Sequence, residues 1–320
     1  MPFHRRGIIV HPEELTLDWL DWMREAKLNT LGLHPVGGVQ AHKTLQQAID
    51  EHYLSAGTAL RAEANARGIE VEYEAHAMAW LLPRHLFQRE PGWFRENRSG
   101  ERTADFNLCP SNSEALAYVT GRAAVLAALL DTGVSRYFFW LDDVTDCACH
   151  CPDCRQLSPS DQQLRTVNAM LTGLRRYNRS AKLCYIAYHD AMDVPRKVQP
   201  LDGVFLEYAP IKRDFHRPIN DMDSPENVSE ARSLRELVAF FGAQDARVLD
   251  YWMDNSLYSN WTKPPRLFTL DEEVMKRDAA FYASLGFECV TSFGCYLGPD
   301  YRRLYGRPPI LRYGEVLGAV

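Results

Sequence analysis

Tyr137-Phe-Phe-Trp-Leu-Asp-Asp143 is an apolar run of strand length that ends in two adjacent carboxylates. Five bulky apolar residues without polar alternation predict a strand covered on both faces, as in a parallel sheet flanked by helices. The run sets the fold class to α/β and delivers two acids to the carboxyl end of its strand.

Outward from it the same pattern repeats. Strand-like runs lie at 7–11, 30–34, 70–75, 136–141, 182–188, 203–208, 247–252 and 288–293. Amphipathic segments at 15–27, 55–67, 113–130, 160–177, 229–242 and 270–285 separate them. Ser111-Asn-Ser-Glu114 has the form of a capping box, and Ser158-Pro-Ser-Asp161 places small polar residues at a helix start. Eight strands joined by helical crossovers predict parallel pairing and closure into a single (β/α)8 TIM barrel spanning residues 1–320. A doubly wound sheet is the competing α/β architecture, but no Gly-x-Gly-x-x-Gly loop follows the first strand. Gly37-Gly38, in the long loop after the second, carries little weight.

A barrel of this kind does its chemistry at the carboxyl ends of its strands. Those ends read His11, His34, His76 with Trp80, Asp142 with Asp143, and Tyr188-His189-Asp190. The later strands end at Glu207-Tyr208 with Arg213 nearby, at Trp252 with Asp254, and at Cys295-Tyr296. Acids, histidines and flat rings on one rim suit a polyhydroxylated ligand. His34, His76, Trp80, Tyr188, His189, Tyr208, Arg213, Trp252, Asp254 and Tyr296 are the expected substrate contacts.

The 320 residues carry a net charge of −6 and no basic tract, which argues against a nucleic-acid partner. No apolar stretch approaches membrane-spanning length, and the first ten residues do not form a secretory signal. A cytoplasmic protein is expected, and a homo-oligomer is possible. In that setting eight cysteines point to metal or buried thiols before disulfides.

Glycosidic cleavage needs two carboxyl groups, one to give a proton and one to stabilise positive charge. Asp142 and Asp143 are adjacent in an extended segment, so only one can face the barrel axis. Asp143 is the expected general acid, Asp142 its neighbour that tunes charge or holds a substrate amide or hydroxyl, and Glu207 the second carboxyl group. The plainer alternatives are a helix cap or a hold on a loop's backbone amides for the paired acids, and an ion pair with Lys212 or Arg213 for Glu207.

Cys147-Ala-Cys-His-Cys-Pro-Asp-Cys154 follows the acids. Cys147, Cys149, Cys151 and Cys154 can offer thiolates to a tetrahedral zinc, and Cys109 is the preferred donor if one ligand comes from elsewhere. Four thiolates leave no open position for water, so the role would be structural, and no organic cofactor is expected.

Phe106-Asn-Leu-Cys-Pro-Ser-Asn-Ser-Glu114, a helix, a strand ending in Asp, then Cys149-His-Cys-Pro-Asp-Cys154 resembles a glycoside-hydrolase-like barrel family catalogued as domain of unknown function 4838. The similarity spans about residues 70 to 300. It implies a TIM barrel distantly similar to hexosaminidase and α-glucuronidase barrels. It also implies that Asp143 matches the strand-four Asp, and Cys109, Cys149, Cys151 and Cys154 the family's cysteines. The chain departs from hexosaminidase-like barrels in two ways. Asp-Asp replaces their Asp-Glu pair, and their additional N-terminal domain has no counterpart, so subsites are expected to be incomplete or shared with a partner subunit.

The expected activity is that of an exo-acting glycoside hydrolase cleaving a terminal sugar. One rival is a catalytically silent carbohydrate-binding barrel. The other is a metal-dependent hydrolase or isomerase built on His11, His34, His76 and His189, weakened by the absence of His-x-His after strand one.

Overall fold

The computed structural model describes residues 3–320. Eight strands, β1 (Arg5–Val10), β2 (Thr30–Leu33), β3 (Glu70–His76), β4 (Arg136–Trp140), β5 (Lys182–Ala187), β6 (Val204–Tyr208), β7 (Arg247–Asp250) and β8 (Cys289–Phe293), close in chain order into a barrel. The strand pairs β1–β2, β1–β8, β3–β4, β4–β5, β6–β7 and β7–β8 are parallel. All five residues of β4 are buried, as a strand covered on both faces requires.

Contacts along the chain group it into two compact units. One comprises Met1–His34, Ser55–Glu72 and Leu206–Val320; the other comprises Pro35–Leu54 and Tyr73–Phe205.

In the second unit the helices Ser113–Leu129 and Pro159–Tyr177 pack against each other. Gly173 makes the approach possible, because a Cβ there would lie 1.9 Å from the Thr120 carbonyl oxygen. Thr120 Oγ1 donates to the Ala169 carbonyl across the same crossing at 3.0 Å. Ser158 and Asp161 form a reciprocal capping box at the start of the second helix. The first helix differs from expectation: Asn112, not Ser111, caps it by accepting the Ala115 N–H at 2.9 Å. Ser111 is engaged elsewhere, its hydroxyl lying 3.1 Å from Cys154 Sγ and accepting from Arg165 at 3.2 Å.

The first unit keeps charge in its interior. Arg247, the opening residue of β7, holds Glu207 of β6 and Glu72 of β3, and all three are buried. A second buried network sets the Arg213 guanidinium between Asp250 at 2.8 Å and Asp278 at 2.7 Å. Among the described residues no helix is long and apolar enough to cross a membrane.

Candidate functional site

β4 ends at Trp140, and the extended chain beyond it turns Asp142 and Asp143 to different partners. The Asp143 carboxylate sits within four groups of the second unit. Its Oδ1 accepts from Tyr188 Oη at 2.8 Å and lies 3.6 Å from His189 Nε2. Its Oδ2 accepts from the Gly38 N–H at 2.7 Å and lies 3.8 Å from His76 Nε2. Burial alone would raise this carboxyl's pKa. The charge of His76 and the hydrogen bonds from His189, Tyr188 and the Gly38 amide outweigh burial and hold it well below the usual carboxylate range.

That setting favours the carboxylate form of Asp143 over the proton-donating form expected of it. The side chain remains 20% exposed and so stays open to a ligand. Gly38, the donor to Oδ2, belongs to the glycine pair that carries little weight in the sequence. Its φ of +66° is the left-handed conformation that glycine adopts without strain. A glycine pair in a long loop gave no sign of which carboxylate its amide would meet.

His76 Nδ1 lies 2.6 Å from the Leu141 carbonyl, which places a proton on that nitrogen. Nε2 then carries a proton toward Asp143 only when the ring is cationic. His189 has a left-handed φ of +50°, and its Nδ1 is buried without a hydrogen-bond partner. Backbone strain of this kind costs about 1–3 kcal/mol and collects at working sites.

Asp142 faces away from this group. Its Oδ2 is paired with Arg84 and accepts the Asn107 N–H at 2.5 Å, and its own N–H donates to Asn107 Oδ1 at 2.9 Å. Asp142 is thus a tether, and no free charge-tuning role remains to it. Asp142 lines a cavity of about 50 Å³ together with His76, Cys147, Gln163, Tyr188, His189 and Asp190.

The cysteines resolve into four and one. Cys109, Cys149, Cys151 and Cys154 are buried, with their sulfurs all within 4.8 Å of one another. Cys109 Sγ lies 3.7 Å from that of Cys151 and 3.8 Å from that of Cys154. A tetrahedron with metal–sulfur bonds of about 2.3 Å has edges of about 3.8 Å, so these residues fit a four-thiolate metal ion. The Glu96 N–H points at Cys149 Sγ from 3.3 Å, and Arg102 Nη1 lies 4.0 Å from the same sulfur. Both offset the negative charge that four thiolates leave around a dication. Gln162 braces the loop, accepting the Cys149 N–H at 2.8 Å and donating to the Cys149 and Cys154 carbonyls at 3.0 and 3.2 Å.

Cys147, the alternative fourth ligand, stands apart. Its sulfur lies 3.0 Å from Asn107 Nδ2 and 3.2 Å from the Val144 carbonyl. Burial, then the charges of Asp142 and Asp190, push its thiol up to about 12. Among the described residues, the cysteine group is the one set of three or more His, Cys, Asp or Glu side chains placed to share a metal. The histidine-metal rival therefore finds no assembled site.

Several expected substrate contacts are structural. Glu207, expected as the second catalytic carboxyl group, is fully buried and bound by two nitrogens of Arg247. Tyr208 is fully buried beside Tyr282, and its hydroxyl finds no partner. Arg213 is consumed by Asp250 and Asp278, and Trp252 is buried with its indole N–H on Asp278 at 2.8 Å. Asp254 caps the turn Asn255–Tyr258, accepting the Ser256 N–H at 3.0 Å. Trp80 donates to Gln46 at 2.8 Å, and the Arg122 guanidinium sits 3.7 Å above its ring, covering one face. His34 packs edge-on to Phe293 in the first unit, and Tyr296 lies there with Lys263 4.8 Å above its ring. Of the predicted set, the structure joins Asp143, His76, Tyr188 and His189.

No curated protein matches the chain. Solved structures do. A β-galactosidase from the psychrophilic Marinomonas ef1 aligns with a TM-score of 0.59 at 13% identity, over 98% of this chain and 59% of its own. An O-GlcNAc hydrolase from Thermobaculum terrenum gives 0.55 at 13% identity, over 99% and 60%. An endo-β-1,4-glucanase from Xanthomonas axonopodis pv. citri gives 0.54 at 12% identity, over 98% of each chain. The chain thus spans about three fifths of the first two proteins, and the likeness to all three is one of fold. The family model described as Domain of unknown function (DUF4838) matches residues 34–292, well over half of the sequence, and the protein belongs to that family.

Proposed function

We propose that the chain is an exo-acting glycoside hydrolase that removes a terminal sugar from a carbohydrate, with Asp143 as its anionic catalytic group. The observation that carries this reading is the Asp143 carboxylate, kept ionised and partly exposed after the fourth strand of a glycoside-hydrolase-like barrel. A fixed negative charge opposes the positive charge that develops at the anomeric carbon as the glycosidic bond breaks. The flanking imidazoles of His76 and His189 are the groups able to hand a proton to the leaving oxygen. The four-cysteine group holds a structural zinc that fixes the loop after β4. Eight cysteines, none of them in a disulfide among the described residues, fit a reducing, cytoplasmic setting.

The test is turnover of a panel of aryl glycosides and oligosaccharides by wild type and Asp143→Asn. Loss of at least about a hundredfold in kcat is expected, the usual scale for removing one positioned catalytic group. Wild-type turnover that survives the substitution overturns the assignment.

A second reading, a barrel that binds carbohydrate without cleaving it, is favoured by one observation. Asp142 and Glu207, the two other nominated acids, are both locked in ion pairs. Glycan binding by a protein that turns over none of the panel would establish it.

A further inference from the structure

Asn107 is the most fully engaged residue between the cysteine group and the end of β4. It is buried, and it holds a left-handed φ of +49° that asparagine adopts more readily than most residues but still at a cost. Every polar group it has is used. Its N–H donates to Asp142 Oδ2 at 2.5 Å, and its Oδ1 accepts the Asp142 N–H at 2.9 Å. Its Nδ2 lies 3.0 Å from Cys147 Sγ, and its carbonyl accepts from Arg84 at 2.7 Å. Arg84 closes the ring by pairing with Asp142.

Two residues after Asn107 comes Cys109, whose sulfur is the distant member of the four-thiolate group. Two residues after Cys147 comes Cys149. Asn107 therefore meets the cysteine group along both chain segments that supply it, and it meets Asp142 through two reciprocal bonds, each from a backbone N–H to a side-chain oxygen. A second link runs in parallel, from the Asp146 N–H to the Asp190 carboxylate at 2.5 Å, beside His189.

We infer that Asn107 is a positioning residue that ties the metal clamp to the end of β4, so that a loaded four-thiolate site sets the placement of Asp142 and Asp143. The inference rests on the metal reading of the cysteines and is independent of the glycosidase reading. A metal ion would fix Cys109 and Cys149 relative to each other. Asn107 carries that fixed spacing to Asp142, and the next residue is Asp143.

Asn107→Gly is the discriminating variant. Glycine accepts the left-handed backbone without strain and keeps the N–H to Asp142, so the loop retains its course while the side-chain clamp is removed. The readouts are metal content of the purified 320-residue chain and hydrogen exchange of its backbone amides. The expected result is one zinc per chain in both proteins, with the Asp142 amide exchanging about tenfold faster in the variant, the scale of one lost hydrogen bond. Removing the zinc from wild type with a chelator should speed exchange at Asp142 and Asp143 as well.

Unchanged exchange at Asp142 in Asn107→Gly overturns the positioning role. Unchanged exchange at both acids after zinc removal overturns the coupling. A purified chain without metal overturns the metal reading on which the coupling stands, whatever the outcome for glycoside turnover.

Discussion

At the scale of single residues, environment decides which acids are available. Asp142, Asp143 and Glu207 all end strands in the sequence, yet a guanidinium takes two of them and leaves Asp143 with imidazoles, a phenol and an amide. The strand-end position of each acid was legible. Its partner was not, because Arg84 and Arg247 lie 58 and 40 residues away along the chain. The depressed pKa of Asp143 has a consequence for stability. A carboxyl whose pKa is lower in the folded than in the unfolded state contributes stability above its unfolded pKa, and loses it as pH falls through the folded value. Asp143→Asn should therefore lower Tm at pH 7, and the gap to wild type should narrow as pH falls below the ordinary carboxylate range. Thermal scans of both proteins from pH 7 to pH 3 measure this. A gap that widens on acidification contradicts the assigned electrostatics.

At the scale of elements, hydrophobic period and turn chemistry carried far. All eight predicted strands are present within a few residues, and the long helices at 113–129 and 159–177 begin where small polar residues announced them. Several features escaped. The helices Ala41–Ala48, Pro299–Tyr305 and Ile310–Ala319 lie outside the segments expected to be helical, and the expected helix over 229–242 is divided into Pro225–Ala231 and Leu234–Phe241. Ser111 is drawn from the expected cap to the cysteine group. That group gathers the approaches to two packed helices, since Cys109 precedes one and Cys154 the other. Cys151→Ser should abolish metal binding and loosen both helix starts, read as zinc content falling from one to none and faster amide exchange at 113–116 and 159–162. Zinc retained by the variant contradicts the four-thiolate assignment.

At the scale of the whole molecule, the barrel was legible because eight strands with crossovers leave few ways to close a parallel sheet. Its charged interior was not, since nothing in the sequence marks Glu72 or Arg247, and Glu207 reads as a carboxylate of the rim. Removing the cation leaves two carboxylates buried without it. Arg247→Met should cost about 3–5 kcal/mol of stability, measured by denaturant unfolding, as when one partner of a buried ion pair is removed. A loss under about 1 kcal/mol would place these groups in contact with water.

The central claim is that a sugar binds against Asp143, His76, Tyr188 and His189. A crystal structure of the chain soaked in a concentrated mixture of monosaccharides tests it most directly. The account predicts a pyranose with a ring or hydroxyl oxygen within hydrogen-bond distance of Asp143, His76 or His189. A sugar ordered elsewhere on the barrel, with these four side chains untouched, would contradict it.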